Sequence, residues 1–333
     1  MASQEVSLSD DPLTSGIQDD FISRIEPSVV RYLGPQDSYS EIMATVMLGT
    51  DFEVPQRRGG WRAPHYIPHE NFSQVTEAVY HDQGNSLTVG ILPVENSQTS
   101  TIQTVTDALL TGDYYILGEG SLLVEIQLAG NGKTIDEVKT VYSQSKPFGQ
   151  ARRFLTDHRF RQEEVDSTSR AAQLVSSMGA TAAALCSRHA AKHYGLTVLA
   201  ENVHDDPHNQ TRFLIVQSRE GRHRPDGDLL PRGGQLGDDE LAKVAGIVSP
   251  KKPAMDDGYQ KAMEHMRDMK VHSVQMGRRN SQREQVGGDG DYLVEFTGPP
   301  RILFDVFNND SSYKSFMAFR LLGVYATGSL YKE

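Results

Sequence analysis

Between Val29 and Val216, short apolar runs suited to strands alternate with helix-length segments, and most junctions carry Gly, Pro, Ser, Thr or Asn. That alternation limits the fold more than any other feature. Strands that take turns with helices pack as α/β layers with mostly parallel sheets, not as a bundle or a sandwich. Val29–Leu33 reads as a strand closed by Gly34-Pro35, with a helix over 42–48 capped by Asp37 or a serine. Further strands are expected over 87–92, 114–119, 122–128, 138–142, 164–165, 181–185, 198–199 and 213–216. Helices are expected over 72–80, 101–110, 147–155, 170–177 and 188–194. Residues 51–70 carry Pro55, Pro64, Pro68 and Gly59-Gly60 and read as an irregular insertion. Its Arg57, Arg58 and Arg62 are either a solvated basic loop or contacts to an anionic ligand.

The pattern changes at both ends. Residues 1–27 are polar and acidic and read as a flexible tail. Residues 219–237, rich in Arg, Pro and Gly, read as a linker. Beyond it, strands over 242–248, 271–276, 291–296 and 321–325 and helices over 255–269, 302–307 and 313–319 make a βαββαβ, ferredoxin-like domain at 238–333. Met263, Met266 and Met269 at helical spacing read as core filler.

With 333 residues the chain has material for more than one core, and its net charge of −11 disfavours a general nucleic-acid binder. A few local cations can still hold a small anion. The one cysteine, Cys186, lies in an alanine-rich run and reads as a buried thiol; no intramolecular disulfide can form. The N-terminus has no apolar core of a secretory signal, and no run is long enough to span a bilayer. The cytoplasm is therefore the expected location, with no membrane partner.

Two polar stretches follow apolar strands, where open α/β sheets bind ligands. Glu95-Asn96-Ser97-Gln98-Thr99-Ser100 offers an amide and hydroxyls at a helix start, suited either to an anion or to plain N-capping. Ser167-Thr168-Ser169 has the same two readings. In Asn209-Gln210-Thr211-Arg212-Phe213, Thr211 can donate a hydrogen bond and Arg212 can grip a carboxylate, or the arginine is simply solvated. His204 and His208 around Asp205-Asp206 are read as a solvated loop before a metal site. There is no Walker loop and no dinucleotide fingerprint.

Taken in order, several stretches resemble the prephenate dehydratase family followed by an ACT regulatory domain. They are Gly34-Pro35 with Ser38-Tyr39-Ser40, Pro93 to Ser97, Leu117-Gly118-Glu119, Pro147-Phe148 with Gln150, Ser167-Thr168-Ser169, and Thr211-Arg212-Phe213. The resemblance implies a type II periplasmic-binding-protein-like catalytic domain over 28–218. One lobe would hold about 28–108 and 203–218, the other about 109–202. It implies a lyase that takes prephenate to phenylpyruvate in phenylalanine biosynthesis, without metal or cofactor. Thr211, Asn96 and Gln150 would be catalytic. Arg212, Phe213, Ser38, Ser97, Thr99, Ser167 and Thr168 would bind substrate. A homodimer or homotetramer is expected.

Where the family usually has His-Pro-Gln, this chain has Gln144-Ser145-Lys146. Ile126 stands for a histidine, and Asp37 and Ser100 stand for glycines. In the C-terminal domain, Gly258, Gly277, Arg278 and Arg279 mark a degenerate effector site expected to bind phenylalanine weakly. A specialised pathway, a modified prephenate or arogenate, a non-aromatising decarboxylase and a non-catalytic sensor of aromatic acids are the alternatives kept open.

Overall fold

The structure, a computed structural model, describes residues 27–48, 64–82, 88–219, 241–250, 263–264, 266–268, 271–280, 290–304, 306–307, 317–328 and 330–332. All but Pro27 of the N-terminal tail, most of the arginine-bearing insertion, all but Arg219 of the linker, and Gly258 fall outside them.

In chain order the first elements are β1 (Val29–Leu33), α1 (Tyr39–Leu48), β2 (His65–His69), α2 (Phe72–His81), β3 (Thr88–Asn96), β4 (Ser100–Thr101), α3 (Gln103–Thr111) and β5 (Tyr114–Leu123). Then come β6 (Gln127–Gly130), β7 (Thr140–Ser143), α4 (Ser145–Gln150), α5 (Arg152–His158), β8 (Arg161–Glu164), α6 (Thr168–Ser176), β9 (Ala182–Cys186), α7 (Arg188–His193), β10 (Thr197–Ala200) and β11 (Gln210–Ser218). The remainder is β12 (Ala242–Pro250), β13 (His272–Asn280), β14 (Gly290–Gly298), α8 (Pro300–Phe304), β15 (Met317–Ala326) and β16 (Leu330–Tyr331).

The described residues fall into two units. The larger comprises 27–115, 120–219 and 330–332, and it holds two mixed sheets. One has seven strands in the order β16-β5-β11-β3-β1-β2, with β4 on β3; the other has five, β10-β6-β9-β7-β8. β1 is parallel to β2 and β3, but β11 runs antiparallel to β3, so the expectation of mostly parallel sheets is corrected to mixed ones. β3 is central and buried on both faces, which suits its unbroken apolar run. The five-stranded sheet buries Leu128, Val141 and Leu185 on one side and Ala171, Ala184 and Cys186 on the other.

Three local expectations change. The insertion contains the regular strand β2, and Pro68 is tolerated there because β2 is the edge of its sheet. The single helix expected over 147–155 is two, parted at Ala151. Residues 317–319, expected to be helical, open β15 and pair with β12 through Phe319 opposite Val248. An apolar run with aromatics suits either state until a partner strand decides it.

The second unit comprises 116–119 and 241–328 of the described residues. Its four strands are antiparallel in the order β13-β14-β12-β15, over a core of Val244, Met266, Phe296 and Leu303. Gly277, Arg278 and Arg279 lie on β13, opposite Leu293, Tyr292 and Asp291. Glu119 is buried in this unit, where Lys243 Nζ stands 2.7 Å from its carboxylate and the Gly328 N–H donates to it at 2.9 Å.

Candidate active site

The site begins with the pairing of two distant strands. β3 ends at Asn96 and β11 begins at Gln210, and their antiparallel register sets Asn96 opposite Thr211. A tight turn over 97–99 returns the chain as β4, so the Asn96 side chain is enclosed and only 3% exposed. Its Oδ1 accepts from the Gln98 N–H and the Thr99 hydroxyl, both at 3.2 Å, which fixes which end of the amide faces inward. Its Nδ2 faces three acceptors: Asn209 Oδ1 at 2.9 Å, Thr211 Oγ1 at 3.0 Å and the Gln210 carbonyl at 3.1 Å. Two amide hydrogens serve three acceptors. Because Asn96 donates to Thr211, the threonine's own proton is left for another partner.

Asn96 and Thr211 lie on the wall of a cleft of about 1020 Å³. Phe213, Ile102 and Val124 supply apolar lining beside them. From the first loop come Gly34, Pro35 and Ser38, whose hydroxyl donates to the Leu33 carbonyl at 2.8 Å. The five-stranded sheet contributes Lys146 and Gln150 from α4 and the stretch 166–170 at the start of α6. Gln150 Nε2 donates to Gln98 Oε1 at 2.9 Å, which places the second predicted catalytic amide beside the Asn96 turn.

At the start of α6, Ser167 caps the helix by accepting from the Arg170 N–H at 3.0 Å, a bond type worth about 1 kcal/mol. Ser169 is 2% exposed and its Oγ has no hydrogen-bond partner among the described residues, though it lines the cleft. With Thr168 and the free N–H groups of the first helical turn, these hydroxyls form a donor-rich corner suited to an anion. Lys146 and Arg170 also line the cleft, with Asp166 and Glu70 as the acidic lining. His69 also lines the cleft; burial first, then the nearby Arg31, holds its pKa below the ordinary histidine range. Arg31 Nη1 lies 3.3 Å from His69 Nε2, and since arginine only donates, that nitrogen accepts.

Of the predicted residues, Thr211, Asn96, Gln150, Phe213, Ser38, Ser167 and Thr168 line this one cleft. Arg212, Ser97 and Thr99 do not. Side chains alternate along a strand, so Arg212 points away where Thr211 and Phe213 point in, and it lies 3.9 Å from Glu95. Ser97 Oγ accepts from the Gln210 N–H at 3.0 Å and fastens the turn to β11. Thr99 orients Asn96. The histidine–aspartate loop holds structure in the same way. His204 Nδ1 accepts from the Ile126 N–H, and Asp205 accepts from the Arg153 N–H. Asp206 accepts from the His208 N–H and from Gln98, bonds that lower its pKa. Among the described residues no three His, Cys, Asp or Glu side chains are grouped to hold a metal.

The family model for prephenate dehydratase matches residues 30–221. The chain belongs to the prephenate dehydratase family. It is 30% identical over 198 residues to a bifunctional chorismate mutase/prephenate dehydratase of Stutzerimonas stutzeri, a match covering 59% of this chain and 50% of that one. It is 31% identical over 207 residues to arogenate dehydratase/prephenate dehydratase 2, chloroplastic, of Arabidopsis thaliana, covering 62% and 50%. The chain thus spans about half the length of these relatives. Among solved structures, the prephenate dehydratase of Staphylococcus aureus aligns with a TM-score of 0.66 at 22% identity, over 89% of this chain and 99% of that one. GqqA, described as a quorum quenching acylase, aligns at 0.63 and 22%, over 90% and 97%. Those two likenesses concern the fold.

Two positions where the resemblance implies glycine, Asp37 and Ser100, are both left-handed. Asp37 has φ 63° and Ser100 φ 60°. That conformation costs a side-chain-bearing residue about 1 kcal/mol. At Asp37 the strain is accompanied by contacts, since His189 Nε2 and His193 Nδ1 both lie 3.3 Å from its buried Oδ1.

Proposed function

We propose that this chain dehydrates and decarboxylates prephenate to phenylpyruvate. The observation that carries the reading is the hydrogen bond from Asn96 Nδ2 to Thr211 Oγ1 on the cleft wall. Departure of hydroxide from a ring carbon at neutral pH needs a proton donor in place. An amide that donates to the threonine oxygen turns the hydroxyl proton outward and stabilises the charge left on that oxygen as the proton leaves. The ring carboxylate departs as carbon dioxide, its electron pair enters the ring, the hydroxyl departs as water, and the product is aromatic. Gln150 orients the ring substituents, Phe213 supports the ring, and the donor-rich start of α6 takes a carboxylate. Arg212 has no part in this scheme.

The two sheets of the larger unit serve as the lobes of a type II binding-protein-like domain around this cleft. The four-stranded unit acts as an ACT-like regulatory domain in a cytoplasmic homodimer or homotetramer. Its altered effector motif supports weak phenylalanine binding, and tight binding in isothermal titration would contradict that.

The test of the chemical role is Thr211→Ala. The variant should bind prephenate within about threefold of wild type in titration while turnover falls by at least a hundredfold. Turnover near wild type would remove Thr211 from the chemistry.

A further inference from the structure

Lys146 is the second residue of α4, and Gln150 is four residues on, so both side chains leave the same face of the helix, about 6 Å apart along its axis. Both line the cleft. Lys146 reaches solvent from the cleft wall. Among the described residues its ammonium has neither a hydrogen bond nor an ion pair, and the acidic lining residues Glu70 and Asp166 lie beyond ion-pair distance of it. Arg170, the other cation of the lining, donates to the neutral side-chain oxygen of Gln173 at 2.5 Å and keeps its charge. Lys146 is therefore an uncompensated positive charge beside a catalytic amide.

We propose that Lys146 makes this cleft select a 2-oxo acid side chain over the 2-amino acid side chain, that is, prephenate over arogenate. The inference rests on the dehydratase reading. The two substrates share a ring, a hydroxyl and two carboxylates; arogenate carries an ammonium where prephenate carries a ketone. The Lys146 ammonium attracts a carboxylate and donates to a ketone oxygen. It repels a second ammonium, which cannot accept a hydrogen bond from it. Like charges about 6 Å apart near a protein surface shift a binding constant by one to two decades. Desolvation lowers the pKa of Lys146, so this selection fades as pH rises through that lowered value.

The test is steady-state kinetics of the full chain on both substrates, for wild type, Lys146→Met and Lys146→Arg. Wild type should favour prephenate by at least tenfold in kcat/KM. Lys146→Met should narrow the ratio to within about threefold, mainly through a lower KM for arogenate, and Lys146→Arg should retain it. Circular dichroism confirms that each variant is folded, and Lys146→Gln replaces Met if that variant is not. If prephenate is consumed but wild type shows no preference, or the ratio survives in Lys146→Met, the role of Lys146 falls and the dehydratase reading stands. If wild type consumes neither substrate, both fall.

Discussion

Replacing Asn96 with alanine should destabilise the protein by about 4 kcal/mol. The side chain satisfies two acceptors at a time from its amide nitrogen and two donors at its oxygen, all within 3.2 Å. Net hydrogen bonds contribute about 1 kcal/mol each, which gives the total. Asn209 adds to the loss, because it is 1% exposed and its Nδ2 has no partner among the described residues. Without Asn96, its Oδ1 is orphaned as well, at a cost of about 1–3 kcal/mol. Relief from desolvating the Asn96 amide offsets part of this, so the sum stays near 4 kcal/mol. Thr211→Val is the internal control. It leaves both amide hydrogens of Asn96 with Asn209 Oδ1 and the Gln210 carbonyl, so about 1 kcal/mol or less is lost. Urea unfolding followed by circular dichroism reads both, and with a slope of about 2–3 kcal/mol per molar, Asn96→Ala should lower the midpoint by about 1–2 M. A shift under about 0.3 M for Asn96→Ala, or equal shifts for the two variants, would refute the network as described.

Two further substitutions probe other parts of the structure. The lowered pKa of His69 means that the unfolded chain binds its proton first as pH falls below about 6.5, so stability drops there by up to about 1.4 kcal/mol per pH unit until the folded-state pKa is passed. Urea midpoints at pH 7.5 and 5.5 should therefore fall less in His69→Gln than in wild type; an equal fall would remove His69 as the cause. A Cβ at Gly130 would meet the Ala182 carbonyl oxygen at 2.7 Å, and backbone cannot turn aside as a side chain can. Gly130→Ala should lose about 1–3 kcal/mol in thermal melts, against near neutrality for Gly179→Ala, where nothing lies within 4 Å.

What was legible in the sequence was what neighbours in the chain decide. β1, α1 and β9 follow from apolar runs and their closing turns, and the Ser167 cap follows from its place before α6. What depended on distant partners was not. β2 contains a proline and becomes a strand because β1 offers one free edge. Arg212 stands beside Thr211 in the chain, yet the alternation of β11 parts their side chains. In the sequence Asn209 is only a neighbour of Thr211, and its importance appears once the register of β3 and β11 brings it to Asn96. Lys146 was visible as a departure from the family pattern. Its four-residue spacing from Gln150 was the available sign that it shares the amide's face.

The most direct test of the account is the product formed when purified protein is incubated with prephenate, read by absorbance in alkali and by mass spectrometry. Phenylpyruvate should form, with loss of one carbon dioxide and one water. A decarboxylated product that keeps its hydroxyl and is not aromatic would contradict it, as would unchanged prephenate.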